Sequence, residues 1–176
     1  MRLTVYTDYA LRLLMYLALK EDGCATIREV AQAYGISKSH LMKVAHQLGV
    51  AGYIATVRGK GGGLRLGKAA HEIGLGEVVR YAEPDMALVP CFAPVSAACP
   101  IVPSCVLRRV LEDARAAFLG VLDGYTLADL VRPGGALRTL LSLPTRELDP
   151  CREAGEPSPG RGRARARSKA ASRSSA

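Results

Sequence analysis

The sequence predicts a mainly α-helical fold with one small β-hairpin, and three observations carry that prediction. Apolar residues recur at helical spacing through residues 6–48 and again through 106–122; two short strand-like runs flank a glycine-rich loop at 58–63; and Pro, Gly, Ser and Arg dominate beyond about residue 133. At 176 residues and 49% apolar composition, the chain is long enough to bury one good core.

Tyr6, Tyr9, Ala10, Leu13, Leu14 and Leu17 fall on one face of a helix over residues 6–19, with Thr4 or Thr7 placed to cap it. Thr26 opens a second, shorter helix whose Ile27, Val30, Ala31 and Tyr34 share a face, and Gly35 ends it. Ser37 is the expected cap of a third, with Ile36 before it and Leu41, Val44, Ala45 and Leu48 as the inward stripe. Two helices joined across Tyr34, Gly35 and Ile36 make a helix-turn-helix. Residues 53–57 and 64–66 read as two strands, and the loop between them is Arg58, Gly59, Lys60, Gly61, Gly62, Gly63. A hairpin with a flexible cationic tip is what the wing of a winged helix-turn-helix requires. A phosphate-cradling nucleotide loop is the competing reading, but no Lys-Ser/Thr pair follows and no long helix opens directly behind.

Residues 72–83 read as a helix stopped by Pro84, and residues 106–122 as a longer one with apolar positions at 107, 110, 111, 114, 117, 118, 121 and 122. That stripe is wider than one small core needs, so the second helix is expected to dimerise rather than pack only on its own head. Residues 126–130 add one turn. The expected organisation is a winged helix-turn-helix DNA-binding domain at 1–70, a cysteine loop with dimerisation helix at 71–131, and a mostly disordered basic tail at 132–176.

The formal net charge of +8 is unevenly placed: residues 1–68 hold 10 Lys/Arg against 4 Asp/Glu, 69–150 hold 7 against 10, and 151–176 hold 7 against 2. A basic compact head suits a polyanion, because neutralising phosphates releases counterions. The candidate DNA contacts are Ser37, Lys38, Ser39, His40 and Lys43 at the start and outer face of the third helix, with Arg58, Gly59 and Lys60 in the wing. Small hydroxyls there bond phosphates or base edges, and cations reach guanine or the backbone. No constellation of Ser, His and Asp and no carboxylate pair suggests an enzyme. The first 20 residues lack the plan of a signal peptide, so a cytoplasmic protein is expected. Residues 86–107 are uncharged over 22 positions, yet Pro90, Pro94, Pro100 and Pro103 exclude a membrane-spanning helix.

That same uncharged stretch carries Cys91, Cys99 and Cys105, separated by seven and five residues. Thiolates on irregular backbone can converge on one soft metal centre. Structural zinc sites usually pair cysteines two to four residues apart, and no such pair exists here. Three cysteines short of a fourth protein ligand suit an iron-sulfur cluster better, with a structural zinc module and an electron-transfer protein as the alternatives. Five cysteines in all is an odd count that weighs against a disulfide framework; Cys24 and Cys151 lie outside the loop and read as bystanders.

The stretches MRLTVYTDYALRLLMYLAL, ISKSHLMKVAHQL, GYIATVRGKGGGLRL, EVVRYAEPDMALVPCF, the cysteine triplet and AFLGVLDGYTLADL resemble the nitric-oxide-sensing branch of the Rrf2 family of winged-helix regulators, over roughly residues 1–131. The resemblance implies a homodimeric repressor of nitric-oxide detoxification genes, bound to a double-stranded operator and released when nitric oxide attacks an iron-sulfur cluster. [4Fe-4S] is the favoured cluster and [2Fe-2S] the alternative. The resemblance also implies a fourth ligand, an aspartate from the partner subunit's first helix, which matches Asp8. Arg12, one turn along, is then placed to couple by pairing with Asp8 when the cluster is lost. As an ordinary residue, Asp8 is a helix-end carboxylate favoured by the macrodipole. The sister branch uses a histidine three residues after the last cysteine; that position is Arg108 here, which favours the nitric-oxide branch over a regulator of cluster status, redox state or iron.

Overall fold

The computed structural model describes residues 2–20, 23–59, 61–92 and 99–143. Lys60, Cys151 and the tail beyond residue 143 lie outside them. Helix α1 (Val5–Leu19) starts where the Thr4 hydroxyl accepts from the Thr7 N–H, so Thr4 rather than Thr7 is the cap. Helix α2 (Ile27–Tyr34) opens on a reciprocal box, Thr26 N–H to Glu29 at 2.6 Å and Glu29 N–H to the Thr26 hydroxyl at 3.2 Å. It closes on Gly35 at φ 63°, a left-handed conformation that costs glycine little, with Ile36 N–H returning to Ala31 O at 3.0 Å. Helix α3 (Lys38–Val50) follows. Strands β1 (Ile54–Val57) and β2 (Gly63–Leu66) then pair antiparallel, Ile54 against Leu66 and Val57 against Gly63. The fold is the expected one: helical, with a winged hairpin.

Beyond the wing come α4 (Leu75–Ala82), α5 (Val106–Asp123), α6 (Leu127–Leu130) and α7 (Gly134–Leu140). Two elements differ from the sequence expectation. The helix expected from residue 72 begins at Leu75, because Ile73 gives its backbone to another partner: Leu127 N–H donates to Ile73 O at 2.9 Å, while Leu75 N–H donates to Tyr125 O at 2.9 Å. Gly134–Leu140, which composition places in the unstructured tail, forms a helix, and Leu141 and Leu143 just after it pack against the core.

One core joins the head to the helices beyond the wing. Leu13, Leu14 and Leu17 of α1 and Leu41 and Leu48 of α3 share a cluster with Ile73, Val78 and Leu127, the last only 1% exposed. Leu127→Ala removes a side chain that this core has closed over, so it is expected to destabilise the protein by about 2–5 kcal/mol. Chemical denaturation followed by circular dichroism checks this; a loss under about 0.5 kcal/mol, the size typical of a surface substitution, would mean that α6 does not belong to the core.

Helices α4 and α5 are clamped by a two-pronged ion pair, Arg80 Nη1 to Asp123 Oδ1 at 2.6 Å and Nη2 to Oδ2 at 2.7 Å. Gly76 makes room for it, since a Cβ there would meet Asp123 Oδ1 at 1.9 Å. The hydrogen bond from Arg80 holds the Asp123 carboxyl below its usual range. The clamp's contribution is therefore present above the ordinary aspartate range and lost as pH falls through the lowered value.

Candidate functional site

Helix α3 buries Leu41, Val44, Ala45 and Leu48 and turns Ser37, Lys38, Ser39, His40 and Lys43 to solvent, as its spacing predicts. One detail departs from expectation. The Ser37 hydroxyl lies 2.8 Å from that of Ser39 and makes no cap bond, because a neighbouring hydroxyl competes for it. The first-turn N–H groups of α3 are thus left uncapped by that side chain and face outward with Lys38 beside them, an arrangement suited to a phosphate. Arg58 and Gly59 stand exposed where the hairpin leaves β1, and Gly59 takes φ 110°, which a side chain would strain. Exposed Met42, His46 and Gln47 extend the same helix face beyond the residues singled out from the sequence.

This face supports a DNA interface with a specific signature. Lys43→Ala and Arg58→Ala are each expected to weaken binding, and each phosphate contact removed lowers the salt slope by about one, whereas losing a base contact costs about 1–3 kcal/mol and relaxes specificity. Gel-shift titration at several salt concentrations checks both; curves that match the unmodified protein for both variants would move the interface elsewhere.

Asp8 sits in the first turn of α1, half-exposed, and Arg12 Nε donates to its Oδ1 at 2.9 Å. The Arg12 guanidinium also stands 5.8 Å from the Tyr34 ring at the end of α2, and Tyr9 lies 6.2 Å from His40 on α3. The two side chains form an i,i+4 ion pair that borders the helix-turn-helix.

The cysteines occupy the segment between α4 and α5. Cys91 is half-buried in a short turn, Pro90–Phe92, whose Phe92 ring lies under the Arg115 guanidinium of α5 at 5.1 Å. Cys99 is exposed. Cys105 caps α5, its sulfur accepting from the Arg108 N–H at 3.3 Å, while Arg108 Nε lies 3.4 Å from Glu112. None of the three is in a disulfide. Among the described residues no three His, Cys, Asp or Glu side chains converge on a metal position within one chain. The donors nevertheless fit an iron-sulfur cluster chemically: three thiols, no histidine near them in sequence, and a backbone N–H already directed at one sulfur, a contact that tunes such centres.

Glu83 is a residue that sequence reading missed. At the end of α4, its Oε1 accepts from Thr4 N–H at 2.8 Å, from the Thr4 hydroxyl at 3.2 Å and from the fully buried Thr7 hydroxyl, so it caps α1 from 79 residues away. No local spacing signals such a contact.

Residues 3–133 match the family described as "Rrf2: Iron-dependent Transcriptional regulator". The chain is 48% identical over 143 residues to the HTH-type transcriptional regulator NsrR of Bacillus licheniformis, covering 81% of this chain and 100% of that one. It is 49% identical over 142 residues to NsrR of Geobacillus kaustophilus, covering 80% and 97%. Among solved structures it is similar to CymR, the global cysteine regulator of B. subtilis, with 25% identity, a TM-score of 0.61 and coverage of 76% and 98%. A likeness to T. potens IscR, at 21% identity, TM-score 0.63 and coverage of 84% and 94%, concerns the fold alone.

Proposed function

The chain belongs to the Rrf2 family of transcriptional regulators, and on that premise we propose that it is a homodimeric repressor that senses nitric oxide through an iron-sulfur cluster. As a member of that family it is a DNA-binding regulator and not an enzyme. The observation that carries the finer reading is the set of three thiols outside any disulfide, on an uncharged segment between α4 and α5. Cys91, Cys99 and Cys105 would hold the cluster, with the partner subunit's Asp8 completing the set. Three thiolates and one carboxylate make up the four ligands that an iron-sulfur cluster takes, and [4Fe-4S] is the favoured type, with [2Fe-2S] the alternative. When bound, the cluster supplies iron that reacts with nitric oxide.

The remaining steps belong to the chain's own residues. Carboxylate is a harder donor than thiolate and binds soft iron less firmly, so Asp8 would be the most weakly held of the four ligands. Arg12 stands ready to take it, at 2.9 Å, and the same guanidinium touches the end of α2. With Asp8 held across the dimer, each head is tied to its partner and the two α3 helices keep the spacing of one helical turn of DNA; with Asp8 on Arg12, that tie is gone. Nitric-oxide detoxification genes are the proposed targets, since the curated relatives are NsrR proteins. No described helix is long and apolar enough to cross a membrane; we place the regulator in the cytoplasm, beside its DNA.

Anaerobic purification followed by iron and sulfide analysis and a visible absorption spectrum tests this reading. The expected result is iron with acid-labile sulfide and a broad visible band; zinc without sulfide would overturn it in favour of a structural metal.

A further inference from the structure

Three nearly consecutive residues at the end of α4 reach three different helices. Arg80 goes to Asp123 of α5, the Tyr81 hydroxyl donates to Gln47 O of α3 at 2.8 Å, and Glu83 caps α1 through Thr4 and Thr7. The other side of the same turn, Val78, Val79 and Ala82, is buried in the core, so the turn cannot slide without moving its contacts. Directly beyond it, at Pro84, the segment that leads to the cysteines begins.

We propose that this last turn is a strut, with Tyr81 and Glu83 as positioning residues that set the stance of the recognition helix. Tyr81 holds α3 from its C-terminal half. Gln47 lies one helical turn after Lys43, on the same exposed face, so the height of the Gln47 carbonyl governs where Lys43 meets DNA. The Tyr81 ring stands edge-on to Tyr53, at 5.9 Å and 65°, and Tyr53 N–H bonds Leu48 O at 2.9 Å, which ties the ring to the same helix end twice. Glu83 holds the first turn of α1, where Asp8 sits, by accepting from the Thr4 N–H and from the Thr4 and Thr7 hydroxyls. A displacement at the root of the cysteine segment therefore reaches Asp8 and the DNA-reading face together. The inference rests on α3 being the reading helix and needs no particular metal.

Tyr81→Phe deletes the hydroxyl and keeps the ring, so it separates positioning from packing. The probe is a duplex that the full-length protein, purified without oxygen, selects from a randomised pool, together with a scrambled duplex. Tyr81→Phe is expected to bind the selected duplex about fivefold or more weakly, at the low end of coupling between sites, with scrambled-duplex affinity and Tm unchanged. Unchanged affinity for the selected duplex, or equal weakening on both, would overturn the strut. A wild-type protein that selects no duplex would sink the DNA-reading assignment and the role of Tyr81 with it. Glu83 is tested without DNA by amide hydrogen exchange. Glu83→Ala is expected to speed exchange both in α1's first turn and along α3, and Glu83→Gln, which keeps an acceptor oxygen, to restore both. Faster exchange confined to α1 would make Glu83 a local cap only.

Discussion

Replacing Cys91, Cys99 or Cys105 singly by Ala is expected to abolish cluster assembly and specific DNA binding together, whereas Cys24→Ala and Cys151→Ala retain both. On the proposed reading each loop cysteine would be one of three thiolate donors, and a site left with two would not complete an iron-sulfur cluster. Without it the head keeps its fold, because the core around Leu13, Leu41 and Leu127 includes none of these residues. What remains is binding through phosphate charge, roughly 10³-fold or more weaker than specific binding. Anaerobic reconstitution of each variant, read by visible absorption and by gel shift, checks the prediction. A normal spectrum in any one of the three removes that cysteine from the site.

If the protein is the proposed homodimer, Val110→Glu is expected to convert it to monomer. Helix α5 buries no residue within a single chain, and Leu107, Val110, Ala114, Ala117 and Val121 succeed each other at alternating steps of three and four along one exposed stripe. Leu107 is 65% exposed, Val110 55% and Val121 63%, which is the pattern of a helix that meets a second copy of itself. Across a twofold axis the substitution places two carboxylates in an apolar seam, at a cost of several kcal/mol; about 3 kcal/mol already weakens dimerisation more than 100-fold. Sedimentation equilibrium measures it. An unmodified protein that is monomeric at micromolar concentration, or a variant that dimerises equally well, would contradict the assignment of this face.

The head was legible in the sequence because its signals are local. Thr26 with Glu29, Gly35 in the left-handed turn, and the Leu41, Val44, Ala45, Leu48 stripe are each decided within four residues of chain. The wing was legible because glycines and cations share one short loop between strand-like runs. Contacts set by distant chain were not legible: Glu83 caps α1 across 79 residues, and Arg80 meets Asp123 only because Gly76 leaves the space. The start of α4 was misplaced for the same reason, since Ile73 is held extended by Leu127. Ser37 stands at the cap position as its spacing predicts, but its hydroxyl meets that of Ser39 instead of making the cap bond. For the metal loop, composition supplied the donors, but the partner's contribution through Asp8 was suggested by resemblance and by no spacing within this chain.

The tie through Asp8 is tested by comparing the unmodified protein with Asp8→Ala, both loaded with iron and sulfide without oxygen, for affinity to a selected operator duplex before and after nitric oxide is added. Tight binding by the unmodified protein that is lost on nitric oxide is expected, and weak binding by Asp8→Ala at both stages, with a less stable cluster. If Asp8→Ala instead binds as tightly as the unmodified protein and loses that binding with the same sensitivity to nitric oxide, Asp8 is an ordinary helix-end carboxylate and the tie across the dimer does not exist.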